Sequence, residues 1–219
     1  MTDRFSYLVS IEGIDCTGKT VLVQRLARLL RRRGLSCEIK PEFPTSKFIQ
    51  QELDAALSRS IFFSHGFGGG PIPALFFMLY AEAQNLCLSR SSAQILLADR
   101  HLDSLAIYQG YFALPTHRFN PLLAVESLER LYSLVDLPLA KRTFLLHAPL
   151  TVLSTRFHER HGRRFTSEEA SVLNDLQSAY EGLARHYSRF YSLDANRPLQ
   201  EVSEEALQVI LGDLEGRKS

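Results

Sequence analysis

The stretch Gly13-Ile14-Asp15-Cys16-Thr17-Gly18-Lys19-Thr20 constrains this chain more than any other. The pattern Gly-x-x-x-x-Gly-Lys-Thr follows an apolar, β-branched run from Phe5 to Ile11 and opens a segment of helical periodicity. The two glycines let the backbone turn tightly and aim successive N–H groups at a phosphate, with the partial positive charge of a helix N-terminus behind them. In that arrangement Lys19 reaches the β- and γ-phosphates and the Thr20 hydroxyl ligates Mg²⁺. The loop therefore demands strand, turn and helix in that order, and a nucleoside triphosphate such as ATP as ligand.

The rest of the chain supplies a matching frame. Lys19 to Arg33 carries Val21, Leu22, Leu26, Leu29 and Leu30 at helical spacing, and Gly34 ends it. Arg31-Arg32-Arg33 at that end complements the helix dipole. Further strands are expected at Cys37–Lys40, Gln94–Ala98, Thr143–His147 and Tyr191–Asp194. Helices are expected at Ser46–Leu57 and Ala74–Leu88, with a glycine-rich loop from Ser64 to Pro73 between them. Apolar strands separated by helices predict an α/β fold of three layers, with a central parallel sheet of about five strands and helices on both faces. Ligands in such sheets bind beyond the carboxyl ends of the strands.

Composition narrows the class. The 219 residues carry a net charge of +1, without the basic face of a nucleic-acid binder. No linker, repeat or composition shift divides them, so one domain over 1–219 is expected. Cys16, Cys37 and Cys87 are too few and too scattered for a disulfide framework. No uncharged apolar run reaches membrane-spanning length, and the start Met-Thr-Asp-Arg has no apolar signal core. A cytoplasmic protein without nucleic-acid or membrane partners is the expectation. No spacing of His, Cys, Asp and Glu suggests structural zinc.

The third strand runs into Asp99-Arg100-His101, followed by Asp103-Ser104-Leu105-Ala106-Ile107-Tyr108-Gln109-Gly110. Together with Ile11-Glu12-Gly13-Ile14-Asp15 and Gly18-Lys19-Thr20, these residues resemble the thymidylate kinase family. The likeness continues through the arginine-rich stretch Arg156–Arg164 and through Leu193-Asp194-Ala195 with Pro198-Leu199, and so covers nearly the whole chain. The resemblance implies a P-loop nucleoside monophosphate kinase using ATP and Mg²⁺. Asp99 would hold the Mg²⁺ shell through water, beside Thr20. Arg100 would bridge donor and acceptor phosphates, since a guanidinium fork matches phosphate oxygens. Asp15 would accept from the sugar 3′-hydroxyl, Tyr108 would pack near the 2′ position and Gln109 near the base. Arg156, Arg160, Arg163 and Arg164, in a lid segment at about 154–168, would close over ATP, and Asn196-Arg197 would lie near adenine. Glu42 and Phe43, in Pro41-Glu42-Phe43-Pro44, would face the acceptor. Related enzymes are commonly dimers, so a homodimer is the assembly the resemblance suggests.

The acceptor half departs from the family pattern. In Phe76-Phe77-Met78-Leu79-Tyr80-Ala81-Glu82-Ala83-Gln84, Met78 stands where a phenylalanine stacks on the base, with Phe77 beside it, and Glu82 stands where an arginine grips the monophosphate. A carboxylate about 5 Å from a phosphate dianion at an effective dielectric of about 20 costs on the order of 6 kcal/mol. His101 and His147 also replace the residues common at their positions. Transfer to dTMP or a related monophosphate leads this reading. A kinase acting on a nucleoside or another small hydroxyl compound, with Glu42, Asp99 or Glu82 as base, is the alternative. A nucleotide-binding regulator without turnover is a third, opposed by the intact Lys19-Thr20 and Asp99-Arg100. Cys16 is either a small residue that fits the loop or a thiol activated by helix-terminal amides.

Overall fold

Strand β1 (Tyr7–Glu12) has all six residues buried, as a strand in the middle of a sheet requires. The computed structural model describes residues 7–42, 79, 93–113, 118–134 and 136–216. After β1 come α1 (Lys19–Arg32), β2 (Cys37–Lys40), β3 (Ile95–Asp99), α2 (Leu102–Ala113) and α3 (Pro121–Leu134). Then follow β4 (Arg142–His147), α4 (Leu150–His161), α5 (Ser167–His186), β5 (Phe190–Asp194) and α6 (Leu199–Glu215). The five strands are parallel in the order β2-β3-β1-β4-β5. A parallel sheet is buried on both faces, and the unbroken apolar runs Ile95-Leu96-Leu97-Ala98 and Phe144-Leu145-Leu146 meet that demand.

The main core reaches helices on both faces, with Leu105, Leu128 and Leu176 among its members as well as residues of α1. Tyr7, Val9, Ile11, Ile95 and Leu97 belong to the main core with Leu22, Leu26 and Leu30 of α1. The alternating residues Leu8, Leu96 and Ala98 cluster separately with Ala140. Helices α1 and α6 pack together, as do α2, α3 and α5, giving helix–sheet–helix layers. Arg31 closes the end of α1 by donating from Nη2 to the Cys37 carbonyl at 2.9 Å.

The expected elements that fall within the described residues are present with shifted ends. Strand β1 extends to Glu12 and β4 begins at Arg142. Strand β3 covers Ile95–Asp99 rather than starting at Gln94, because the Gln94 amide oxygen accepts the Ser36 N–H at 3.0 Å and its own N–H donates to Ser36 Oγ at 2.9 Å. Helix α1 ends at Arg32, one residue early. The expected helix at Ser46–Leu57 and the glycine-rich loop lie outside the described residues, and so does the expected helix Ala74–Leu88 apart from Leu79, which is helical.

The topology fixes where a ligand can sit. Strand β1 has β3 on one side and β4 on the other, so the chain leaves it in two directions and opens a crevice at its carboxyl end. The register pairs Ile11 with Asp99 and Glu12 with Leu145. The loops after β1 and β3 therefore start side by side.

Candidate functional site

The loop after β1 takes backbone conformations that few residues adopt: φ is +134° at Gly13, +64° at Cys16 and +94° at Gly18. Thr17 Oγ1 and Lys19 Nζ each donate to the Ile14 carbonyl at 2.8 Å. The ammonium thus lies folded across the loop. Burial, followed by the Arg100 charge, lowers its pKa to about 8. Thr20 stands exposed at the start of α1. Burial and Asp15 push the Cys16 thiol up, with Lys19, Arg160 and Arg156 pulling the other way. That is opposite to the activation a helix N-terminus could give, and favours the small-residue reading of Cys16.

Arg100 crosses from β3 to this loop. Its own φ is +64°, held by its N–H on the Ile11 carbonyl at 3.1 Å. Nη1 donates to the Gly13 carbonyl and to Ser104 Oγ, both at 3.1 Å. Nη2 donates to Asp15 Oδ1 at 2.6 Å and to the Tyr108 hydroxyl at 3.4 Å, and the guanidinium carbon lies 4.8 Å from the Tyr108 ring centroid. Nε lies 2.9 Å from Glu42 Oε1, at the end of β2. Asp15, Glu42, Arg100 and Tyr108 are therefore one cluster. Asp99 is buried beside it, and its Oδ1 has no hydrogen-bond partner among the described residues. An orphaned carboxylate oxygen next to a phosphate loop is an oxygen donor of the kind Mg²⁺ accepts. Gln109 is also buried, and its Oε1 has no hydrogen-bond partner among the described residues. Phe43, Phe77, Met78 and Glu82 lie outside the described residues.

Behind Arg100 is a network that sequence reading missed. Glu12 is fully buried and its carboxylate accepts the His101 N–H at 2.7 Å, the Ser104 hydroxyl and the Tyr180 hydroxyl at 3.4 Å. Ser104 Oγ also pairs with the Tyr180 hydroxyl at 2.7 Å. One hydroxyl thus joins β1, the turn that carries Arg100, and α5. The signal available was a carboxylate inside an otherwise apolar strand pattern, which demands partners wherever it is buried. His101 is packed away from the crevice, with Nε2 3.0 Å from the Pro138 carbonyl and the ring edge-on to Tyr132. His147 contributes its carbonyl, which accepts the Ala195 N–H at 2.8 Å.

Burial, then Asp103, raises the Glu12 pKa from its ordinary 4.5 to about 7, with Ser104, Arg100 and His101 opposing. Between those two values the folded state holds more protons than the unfolded state. Stability therefore falls as pH rises through that window and levels off above it, by about 3 kcal/mol. Glu12→Gln removes this dependence. Across about pH 5 to 8, the melting temperature of the variant is expected to gain roughly 5–10 °C relative to the parent. Calorimetry at both pH values checks it; a constant difference would show that Glu12 keeps its charge throughout.

On the other side of the loop is a cavity of about 280 Å³, lined by Cys16, Val21, Leu146, Arg156, Arg197 and Leu199 among others. Arg156 forms a wall: Nη2 donates to the Ala195 carbonyl at 2.7 Å and Nη1 to the Cys16 carbonyl at 3.4 Å. Arg197 is held by Glu205 at 2.5 Å and Glu201 at 3.3 Å. An apolar slot flanked by two guanidinium groups suits a flat heterocycle. Val21, Leu146 and Leu199 were not foreseen; the one hint is Val21, which is 52 % exposed on an otherwise amphipathic helix.

Of the expected lid arginines, Arg156 is thus tied to the cavity wall. Arg160 is exposed near the end of α4, and Arg164 is exposed in the following loop. Arg163 is paired with Glu169 through two contacts of 2.7 Å. Glu169 also completes the capping box of α5 with Thr166, so the arginine-rich segment is fastened to a helix start. No group of three or more His, Cys, Asp or Glu converges as a metal cluster among the described residues, and no described helix is long and apolar enough to cross a membrane.

A sequence model of the thymidylate kinase family matches residues 11–206. The chain is similar to a probable thymidylate kinase of Metallosphaera sedula, 27% identical over 212 residues, covering 97% of this chain and 96% of that protein. It is 27% identical over 223 residues to the thymidylate kinase of Geobacillus thermodenitrificans, with coverage of 97% and 92%. It is 30% identical over 211 residues to that of Syntrophotalea carbinolica, with coverage of 90% and 91%.

Proposed function

This chain belongs to the thymidylate kinase family, and we propose that it transfers the γ-phosphoryl group of ATP to the phosphate of dTMP, giving ADP and dTDP. The observation that carries the proposal is Arg100. A guanidinium from the strand beside the phosphate loop, bonded to Gly13 and Asp15 of that loop, stands where donor and acceptor phosphates must meet.

The residues take roles that follow from their chemistry. Loop N–H groups from Gly13 to Thr20 and the Lys19 ammonium hold the triphosphate. Binding phosphate restores the proton affinity that burial takes from Lys19. Thr20 and Asp99 would hold Mg²⁺, which when bound neutralises charge on the triphosphate. The cavity beside Arg156 takes adenine. Asp15 accepts from the sugar hydroxyl, and Tyr108 and Gln109 border the nucleoside. The acceptor phosphate is already a competent nucleophile, so no general base is needed, and positioning and charge neutralisation by Lys19, Arg100 and Arg160 supply the catalysis. Arg163 joins them once it leaves Glu169.

The test is an acceptor panel with Mg·ATP: dTMP, dUMP, other monophosphates, thymidine and other nucleosides. Conversion of dTMP to dTDP at a rate well above that of every nucleoside is expected. Turnover of nucleosides alone would replace this reading by a nucleoside kinase.

A further inference from the structure

A guanidinium grips a phosphate best side-on, through Nε and one terminal nitrogen together. In Arg100 two carboxylates crowd that edge: Asp15 Oδ1 accepts from Nη2 at 2.6 Å, and Glu42 Oε1 lies 2.9 Å from Nε as an ion-pair contact, while the Nε–H makes no hydrogen bond among the described residues. The opposite edge has no freedom, because Nη1 is bonded to a backbone carbonyl and to Ser104, itself held by Glu12 and Tyr180. A phosphate oxygen that comes to Nε therefore meets the Glu42 carboxylate at contact distance and has to move it aside.

The two carboxylates are not equivalent. Asp15 sits on the phosphate loop, and its second oxygen also receives the Tyr108 hydroxyl at 3.4 Å. Glu42 follows β2, the edge strand of the sheet, and meets Arg100 Nε without the hydrogen bond that Asp15 has from Nη2. Among the described residues, Arg100 is its ion-pair partner. Burial pushes the Glu42 carboxyl up, Arg100 and Lys19 pull it down, and Asp15 and Asp99 add repulsion. Asp15 is held by two hydrogen bonds and Glu42 by an ion-pair contact alone, so Glu42 is the group that gives way.

Resting on the kinase reading above, we propose that Glu42 competes with the acceptor phosphate for the Nε edge of Arg100 and so sets the enzyme's affinity for monophosphate acceptors. It is a specificity residue that acts by exclusion. It lowers the affinity for any monophosphate and leaves ATP binding in the neighbouring loop unaffected.

The experiment compares the parent chain with Glu42→Gln and Glu42→Asp in steady-state assays on dTMP with saturating Mg·ATP. Calorimetric titration of dTMP without ATP runs in parallel, and a thermal melt of each chain checks folding. Glu42→Gln is expected to lower KM and Kd for dTMP about tenfold, with KM for ATP unchanged. Glu42→Asp, whose shorter carboxylate reaches Nε less well, falls between. An unchanged or raised KM for dTMP in a folded Glu42→Gln chain overturns the proposal, and a raised value makes Glu42 an acceptor contact instead. If Glu42→Gln does not fold, Glu42→Asp and the titrations decide alone. A parent chain that does not phosphorylate dTMP defeats the kinase reading itself, a separate outcome from an active parent whose variants behave alike.

Discussion

A Gly13→Ala chain is expected to lose triphosphate binding together with about 3–5 kcal/mol of stability. A Cβ on Gly13 would lie 2.4 Å from the Leu146 carbonyl oxygen and 3.2 Å from Thr17 Oγ1. The first neighbour is backbone in β4, so relief requires parting two central strands. The second is the hydroxyl that braces the loop on Ile14. The φ of +134° adds strain for any residue with a side chain. Gly18 provides the internal comparison. It also has positive φ, but a Cβ there meets nothing within 4 Å, so Gly18→Ala carries backbone strain alone, about 1–3 kcal/mol. Calorimetry and ATP titration of both variants test the ordering. If Gly18→Ala proves the less stable, the contact with β4 is not what limits this position.

Arg100→Lys is expected to cut kcat by about 10²–10³-fold, equivalent to roughly 3–4 kcal/mol of transition-state stabilisation. Charge is kept, so a purely electrostatic role would leave much of the rate. Geometry is lost: an ammonium cannot serve Gly13, Ser104, Asp15 and Glu42 together, nor present a planar fork to two phosphates. The KM for ATP should change little, because the proposed function gives that binding to Lys19 and the loop amides. Steady-state kinetics separates the two parameters. A variant within threefold of the parent kcat would mean that Arg100 does not touch the reacting phosphates.

Much of this architecture was legible from the chain. The phosphate loop is contiguous, and its chemistry depends on local backbone conformation. Asp99-Arg100 could be placed because a strand end in a parallel sheet points to the ligand edge. Element ends were less legible where side chains compete with the ladder, as Gln94 does with Ser36. Sequence spacing does not reveal that Ala195 and Cys16 offer carbonyls to the guanidinium of Arg156, one of the arginines the resemblance assigns to a lid.

What the sequence determined by itself was the strand–loop–helix with its triphosphate chemistry, together with the α/β order of elements. These rest on contacts between residues close along the chain and on periodicities of two and 3.6. Only the tertiary structure decided which carboxylates meet Arg100, that Glu12 and Tyr180 hold the serine behind it, and that the cavity beside Arg156 joins the loop after β1 to β4 and the segment after β5. Those pairings span 58 residues from Glu42 to Arg100 and 168 from Glu12 to Tyr180. They exist because the strand order sets β1 between β3 and β4 and β2 beyond β3, a choice that no local stretch of the chain encodes.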